Sequence, residues 1–127
     1  KPDGNFDPLA VAAINLIHER TGAVIVFNTT WNQSGHIRLC EIAANEGITA
    51  PVVGVTGFPD LGDRLDAIKA WIAENGPVEA WCALDDETMA DDRCIKVSFE
   101  FGISTQDFSN AVRLLARATE HRITVLS

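Results

Sequence analysis

Basic residues are scarce in this 127-residue chain, which has 10 lysines and arginines against 18 aspartates and glutamates. The formal net charge is -8 and the isoelectric point is near 4.7. An acidic surface repels phosphate backbones, which argues against a non-specific nucleic-acid-binding protein and also against an anionic membrane surface. It is compatible with a metal ion held by carboxylates, and with a phosphorylated substrate bound through that ion.

Cysteines and long apolar runs are scarce as well. Cys40, Cys82 and Cys94 are odd in number, and their spacings match no zinc motif. We interpret them as small apolar residues in a reducing compartment and expect a cytoplasmic location. No apolar run approaches the roughly 18 residues of a membrane span, so no membrane association is expected. The sequence also has no Gly-rich phosphate loop, no Gly-x-Ser-x-Gly elbow and no Cys-x-x-Cys pair.

The residues that are present suit one globular domain covering residues 1–127. Hydrophobic residues make up 46% of the chain and charged residues 22%, which excludes disorder as the default. Apolar, β-branched runs of the kind found in buried parallel strands recur along the sequence. The predicted strands are Ala23–Phe27, Pro51–Val55, Glu79–Leu84, Cys94–Phe99 and Ile123–Leu126.

Helical patterns alternate with these strands. Asp7, Ser34 and Asp63 are suitable helix N-caps, and Ser104–Asp107 forms a capping box that opens a helix with its apolar face reaching Ala118. The alternation predicts an α/β fold with three layers, α/β/α, around a mostly parallel, Rossmann-like sheet. Ligands of such folds bind beyond the carboxyl ends of the strands, so the site is expected there.

Two adjacent carboxylates, Asp85 and Asp86, leave the third predicted strand at its carboxyl end, and Glu87 follows. Like charges placed together are costly unless a cation or a basic group offsets them. Mg²⁺ prefers oxygen ligands, commonly one or two carboxylates with water and substrate phosphate. The pair therefore predicts a metal site, and the alternative is a solvated turn, in which aspartate is also common.

Hydroxyl side chains follow the first predicted strand. Thr29 and Thr30 come directly after Asn28, at the strand's carboxyl end. Hydroxyls and backbone amides in such a position can hold a phosphate oxygen. Threonine is also common at strand ends without any such role, and the sequence leaves both interpretations open.

A basic residue heads the third predicted helix. Arg64 lies just inside this helix, where it can neutralise a phosphoryl group in transit. A surface ion pair with Asp63 or Asp60 is the alternative interpretation. Lys69, further along the same helix, is the alternative basic residue.

Several short motifs occur in an order that resembles one known family. In that order, they are Phe6-Asp7-Pro8, Thr29-Thr30-Trp31, Val53–Thr56, Arg64 with the helix to Ile72, Asp85-Asp86 and Phe101–Ser104. The series resembles the haloacid dehalogenase (HAD) superfamily of phosphohydrolases, and within it the small, capless domains linked to Swiss Army Knife RNA-repair proteins. The resemblance covers about Phe6 to Leu115.

The resemblance implies roles for particular residues. Thr29 corresponds to the hydroxyl that holds the phosphoryl oxygen, with Thr30 beside it in the substrate site. Arg64 corresponds to the basic residue, with Lys69 as alternative, and Asp85 and Asp86 correspond to the acidic motif that holds Mg²⁺. A domain without a cap admits bulky phosphorylated substrates, including nucleic-acid ends by analogy with the family.

The resemblance also implies an apolar strand ending in Asp-x-Asp-Gly, with its first aspartate as nucleophile and its second as general acid/base. The chain opens with Lys1-Pro2-Asp3-Gly4, which places Lys1 where the nucleophile would stand. We expect the strand to lie upstream of Lys1, so that the domain lacks its first strand. The sheet then loses a middle strand, and an exposed apolar edge favours self-association.

Three hypotheses follow. The first is a Mg²⁺-dependent phosphohydrolase that forms an aspartyl-phosphate, with the chain Lys1–Ser127 alone expected to be inactive. The second is a catalytically inactive binding or regulatory module of the same fold. The third is a different three-layer domain, such as a flavodoxin-like receiver with Asp85 and Asp86 in an acidic pocket, although the acidic pair of receivers follows the first strand.

Overall fold

The structure is a computed structural model that describes residues 7–28, 36–57, 62–98 and 102–126. Strands and helices alternate through these ranges, as the sequence predicts. In chain order the elements are α1 Pro8–Thr21, β1 Val24–Phe27, α2 His36–Asn45, β2 Val52–Val55, α3 Arg64–Asn75, β3 Ala80–Asp85, β4 Cys94–Lys96, α4 Thr105–Leu115 and β5 Arg122–Leu126.

The strands form one sheet in the order β2-β1-β5-β3-β4, and every neighbouring pair is parallel. The predicted α/β architecture with a mostly parallel sheet is thereby confirmed. The strands predicted at Ala23–Phe27, Pro51–Val55 and Glu79–Leu84 share this sheet, but β5 separates β1 from β3. No cap unit is present in the part of the chain that the structure describes.

Helices cover both faces of the sheet. One apolar cluster joins α1, α2 and α4 to one face, around Ile17, Phe27 and Leu115. A second cluster packs Ile68 and Trp71 of α3 on the other face. Because both faces are covered, β3 is buried along its whole length, which explains why its sequence shows no alternation.

Local capping follows the sequence closely. The Asp7 carboxylate accepts from the Leu9 N–H, and Ser104 and Asp107 form the predicted capping box of α4. The last predicted helix is shorter than expected: α4 ends at Leu115 and not near Ala118. After the helix, the Arg122 guanidinium donates to the Ala118 carbonyl where the chain enters β5.

Two further observations concern location and the cysteines. Within the described ranges, no helix has the length and apolarity needed to cross a membrane. Cys82 is fully buried, and burial raises the pKa of its thiol to about 12. Burial likewise raises the pKa of Cys94 to about 11. Both thiols stay protonated at neutral pH, which suits the interpretation of these residues as apolar packing groups.

Candidate functional site

Polar residues lie at the carboxyl ends of three strands. Asn28 follows β1, Thr56 follows β2, and Asp85 is the last residue of β3. Asn28 and Asp85 are 0% exposed and Thr56 is 6% exposed, so these are buried polar groups next to the core. Buried polar groups need partners, and the contacts that satisfy them define the candidate site.

The centre of the site is an ion pair between α3 and β3. Arg64 Nη1 lies 2.6 Å from Asp85 Oδ1 and 2.7 Å from Asp85 Oδ2. The Asp85 side chain is fully buried, whereas the Arg64 side chain is 29% exposed. The hydrogen bond to Asp85 raises the pKa of the Arg64 guanidinium above its ordinary value. The pair therefore brings a buried negative charge and a partly exposed positive charge together at the sheet edge.

Arg64 is the first residue of helix α3, and the N-cap before it leaves its side chain directed toward β3. Asp63 is the N-cap, and its carboxylate accepts from the backbone N–H groups of Leu65 and Asp66. Aspartate is a common N-cap residue. Because the Asp63 carboxylate is used in this way, the Arg64 side chain pairs with Asp85 and not with Asp63. The surface ion pair between Arg64 and Asp63 is thus not the arrangement that the structure shows, and Asp60, the other residue of that alternative, lies outside the described residues.

Two more carboxylates surround the guanidinium at longer range. Asp86 Oδ1 is 3.8 Å from Arg64 Nη1, and Glu87 Oε2 is 3.9 Å from Arg64 Nε. Both side chains are exposed, and the Glu87 N–H donates to Asp85 Oδ1. The pKa of Asp86 is raised, first by its hydrogen bond with Asp85 and then by desolvation and the Asp85 charge. The site is therefore net negative, with three carboxylates around one guanidinium.

Asn28 connects the ends of three elements to this ion pair. Its side-chain amide donates to the Arg64 carbonyl at 3.0 Å, and its side-chain oxygen accepts from the Thr56 hydroxyl. Its backbone N–H donates to the Leu126 carbonyl at 2.8 Å. Asn28 thus fixes the first turn of α3 against the sheet and positions Arg64. Sequence reasoning assigned no role to Asn28 or Thr56, although a polar residue directly after a buried strand is a usable signal.

The structure brings together three of the residues predicted from sequence. Arg64, Asp85 and Asp86 form the cluster described above. Lys69 is exposed on α3, and its charge acts on Asp91. Thr29 and Thr30, predicted to bind substrate, lie outside the described residues.

Asp85 and Asp86 fit Mg²⁺ by the chemistry of their donor atoms. Mg²⁺ takes oxygen ligands and commonly keeps several waters beside one or two carboxylates and a phosphate. No group of three His, Cys, Asp or Glu side chains within the described ranges is arranged to hold a metal ion. Because Arg64 contacts both oxygens of Asp85, a cation bound there would share these oxygens with the guanidinium.

A second ion pair lies on the loop before β4. Arg93 donates to both carboxylate oxygens of Asp91 and stacks over the Trp81 ring, 4.4 Å from its centroid. The hydrogen bond from Arg93 holds the pKa of Asp91 below its usual range. An acid with a lowered folded-state pKa stabilises the fold above its unfolded-state pKa, and the contribution is lost as the pH falls.

Asp91→Asn is therefore expected to lower the free energy of unfolding by about 1 kcal/mol at neutral pH, and by less below about pH 4. Urea unfolding at neutral and acidic pH measures the difference. Asp92→Asn is the matched control, because Asp92 is 79% exposed and its carboxylate lies 4.0 Å from the Arg117 guanidinium. An Asp91→Asn effect that does not change with pH would contradict the prediction.

Comparison with known proteins identifies a related family. The family profile described as a HAD domain in Swiss Army Knife RNA repair proteins matches residues 1–108. That span covers most of the chain and includes Arg64, Asp85 and Asp86. Searches of curated proteins and of solved structures find no match.

Proposed function

The chain belongs to the family of HAD domains found in Swiss Army Knife RNA repair proteins, and we propose that it is a phosphohydrolase domain that uses Mg²⁺ to bind and hydrolyse a phosphate ester. The observation that carries the proposal is the cluster of Arg64 with Asp85 and Asp86 at the carboxyl edge of a parallel sheet. Open α/β sheets bind their ligands at that edge.

The charge of the cluster supports a divalent cation. Among the described residues, Arg64 is the one basic side chain paired with Asp85, Asp86 and Glu87, so the excess negative charge would repel a phosphate dianion. Asp85 and Asp86 would hold Mg²⁺, which when bound polarises a phosphoryl oxygen. With its negative charge offset in this way, the cluster would admit the phosphate, consistent with a chain whose overall charge is -8.

The contacts of the described residues and the family resemblance together support roles for the remaining residues. Arg64, partly exposed beside Asp85, would donate to a phosphoryl oxygen and stabilise the charge that develops there. Thr29, with Thr30, would hold a second phosphoryl oxygen, and Lys69 is the alternative basic residue. Asn28 holds Arg64 in place through its bond to the Arg64 carbonyl.

Hydrolysis also needs a nucleophile. A carboxylate oxygen of an aspartate attacks phosphorus while the bond from phosphorus to the leaving oxygen breaks, and that oxygen takes a proton from a general acid. Water then attacks the aspartyl-phosphate, which releases phosphate and regenerates the aspartate. The expectation from sequence is that this aspartate lies upstream of Lys1. The family description suggests a phosphorylated RNA end as substrate class.

One observation favours an alternative, a catalytically inactive binding module. Both oxygens of the buried Asp85 are hydrogen-bonded to Arg64, the arrangement expected of a structural ion pair. If the pair stays closed and the Asp85 carboxylate stays buried, Asp85 stabilises the fold and binds no metal ion. The chain would then keep the HAD-like fold without turnover.

Titration with Mg²⁺ tests the proposed site. We expect Mg²⁺ to shift the backbone amide NMR signals of Asp85, Asp86 and Arg64 in one saturable process. Asp86→Asn, a change at a side chain that is 56% exposed, should weaken this binding about tenfold, because it removes one of two charged ligands. Asp85→Asn combined with Asp86→Asn should abolish it.

The matched control changes another exposed aspartate outside the site. Asp92→Asn removes a charge from an exposed carboxylate near Arg117, and it should leave the Mg²⁺ response unchanged. Shifts confined to scattered surface carboxylates, or equal losses from Asp92→Asn and Asp86→Asn, would contradict the metal site.

A further inference from the structure

The end of β2 packs closely against helix α3. It carries the segment Val53–Thr56, one of the motifs on which the family resemblance depends. Gly54 is buried, and a Cβ atom added there would come within 2.7 Å of the Trp71 ring of α3. The Thr56 N–H donates to the Phe27 carbonyl at 3.0 Å and continues the pairing with β1. Because side chains two residues apart on a strand point to the same side, Thr56 lies on the α3 side of the sheet.

Thr56 is linked to α3 by two hydrogen bonds in series. Its hydroxyl donates to the side-chain oxygen of Asn28, and the side-chain amide of Asn28 donates to the Arg64 carbonyl at 3.0 Å. Thr56 is 6% exposed and Asn28 is 0% exposed, so both bonds start from buried groups. The series therefore runs from the end of β2, through the end of β1, to the first residue of α3.

These bonds select one orientation of the Asn28 amide. The amide oxygen accepts from the Thr56 hydroxyl, and the amide nitrogen donates to the Arg64 carbonyl. If the amide were turned round, its oxygen would face the Arg64 carbonyl oxygen, and two acceptors cannot form a hydrogen bond. The Thr56 hydroxyl therefore stabilises the orientation in which Asn28 can hold the main chain of Arg64.

The main-chain position of Arg64 determines where its guanidinium lies. Its Nη1 atom is 2.6 Å and 2.7 Å from the two oxygens of Asp85, and such short charge-assisted bonds depend steeply on geometry. Trp71 lies seven residues further, about 10 Å along the helix axis. Helix α3 is thus held against the sheet at two separate points, near Arg64 and near Trp71.

We propose that Thr56 is a positioning residue of the phosphate site. Its hydroxyl, acting through Asn28, holds Arg64 where the guanidinium contacts Asp85 and can donate to a phosphoryl oxygen. The part that concerns phosphate rests on the proposed function, whereas the positioning of Arg64 does not. Thr56 supplies no ligand to the metal site, so its loss should weaken phosphate binding and leave Mg²⁺ binding intact.

Three variants of the whole chain test the proposal. Thr56→Val removes the hydroxyl and keeps the shape of the side chain, whereas Thr56→Ser keeps the hydroxyl. Thr21→Val is the matched control, because Thr21 is also buried and its hydroxyl donates to the Ile17 carbonyl and accepts from the Ala23 N–H. Thr21 precedes β1, whereas Asn28 follows it, so the control lies at the opposite edge of the sheet.

Two measurements are made on each protein. The NMR signal of the Arg64 Nε–H group reports the position of the guanidinium, and calorimetry with inorganic phosphate at saturating Mg²⁺ reports the binding of phosphate. We expect Thr56→Val to shift the Arg64 signal and to weaken phosphate binding about fivefold, because the guanidinium loses its alignment. Thr56→Ser and Thr21→Val should leave both close to those of the unchanged chain. Mg²⁺ binding should be the same in all four proteins, since Asp85 and Asp86 keep their charges.

Urea unfolding of the same proteins separates positioning from stability. Thr56→Val and Thr21→Val should lose similar amounts of stability, because each removes a buried hydroxyl. The side-chain amide protons of Asn28 should exchange slowly in the unchanged chain, a measurement that needs no variant.

Several results would overturn the proposal. These are an unchanged Arg64 signal in Thr56→Val, an equal shift in Thr21→Val, a loss in Thr56→Ser as large as in Thr56→Val, parallel losses of Mg²⁺ and phosphate binding, or fast exchange of the Asn28 amide. If the unchanged chain binds no phosphate at saturating Mg²⁺, the proposed function fails and the phosphate part of the proposal fails with it. The Arg64 signal still decides whether Thr56 positions Arg64, so the two failures are distinguishable.

Discussion

Arg64→Leu is expected to lower the free energy of unfolding by about 3 kcal/mol, because it leaves the charge of Asp85 buried without its cation. Asp85 is fully buried and both its oxygens accept from Arg64, so water cannot take over these bonds without opening the sheet edge. The Glu87 N–H also donates to this carboxylate, at Oδ1. Urea unfolding of the two proteins measures the difference.

The exposed ion pair between Arg38 and Glu41 provides the matched control. Arg38 lies 3.2 Å from Glu41 in α2, but both side chains are more than half exposed. Arg38→Leu should cost no more than about 0.5 kcal/mol, since exposed pairs contribute little. Adding Asp85→Leu to Arg64→Leu should recover part of the lost stability, because the unpaired charge is then gone. Equal effects of Arg64→Leu and Arg38→Leu would show that the buried pair is not stabilising.

The elements of this fold could be predicted because their signals are local. Apolar runs such as Ala23–Phe27 and caps such as Asp63 and the box at Ser104 depend on neighbouring residues only. The order of the strands depends on pairing between distant segments, which no local pattern encodes. The sequence therefore predicted β5 as an element, but its place between β1 and β3 became visible only in the structure.

The site was predictable in part for the same reason. Asp85 and Asp86 follow a buried strand, and that local signal marks a sheet edge. The sequence did not decide whether Arg64 binds a phosphate or pairs with a nearby aspartate. The distance between the Arg64 side chain on α3 and the end of β3 cannot be judged from sequence. In the structure Asp63 caps the helix and Arg64 pairs with Asp85, 21 residues away. Asn28 was overlooked because its role lies in contacts with Arg64 and Thr56, which are distant in sequence.

The largest expected effect concerns the rate of phosphate-ester hydrolysis. The chain Lys1–Ser127 should hydrolyse a simple aryl phosphate at a rate near background, even with Mg²⁺. Arg64 and a metal ion can bind and polarise a phosphoryl group, but they replace neither an attacking carboxylate nor the acid that protonates the leaving oxygen. General acid–base catalysis alone contributes about 10²–10⁴-fold, so its absence is decisive in an ordinary assay.

Restoring an apolar strand that ends in Asp-x-Asp-Gly upstream of Lys1 should raise the rate about 10²-fold or more, and chelation of Mg²⁺ should remove the gain. Changing the first added aspartate to asparagine should return the rate to background, since the amide cannot form the aspartyl-phosphate. The assay compares these proteins side by side, with Mg²⁺ and with chelator. Rapid, chelator-sensitive hydrolysis by the unextended chain, lost in Asp85→Asn, would show that its own residues already include the nucleophile. Inactivity of every extended form despite bound Mg²⁺ would instead favour the binding module, since the metal site would then be present without a reaction to serve.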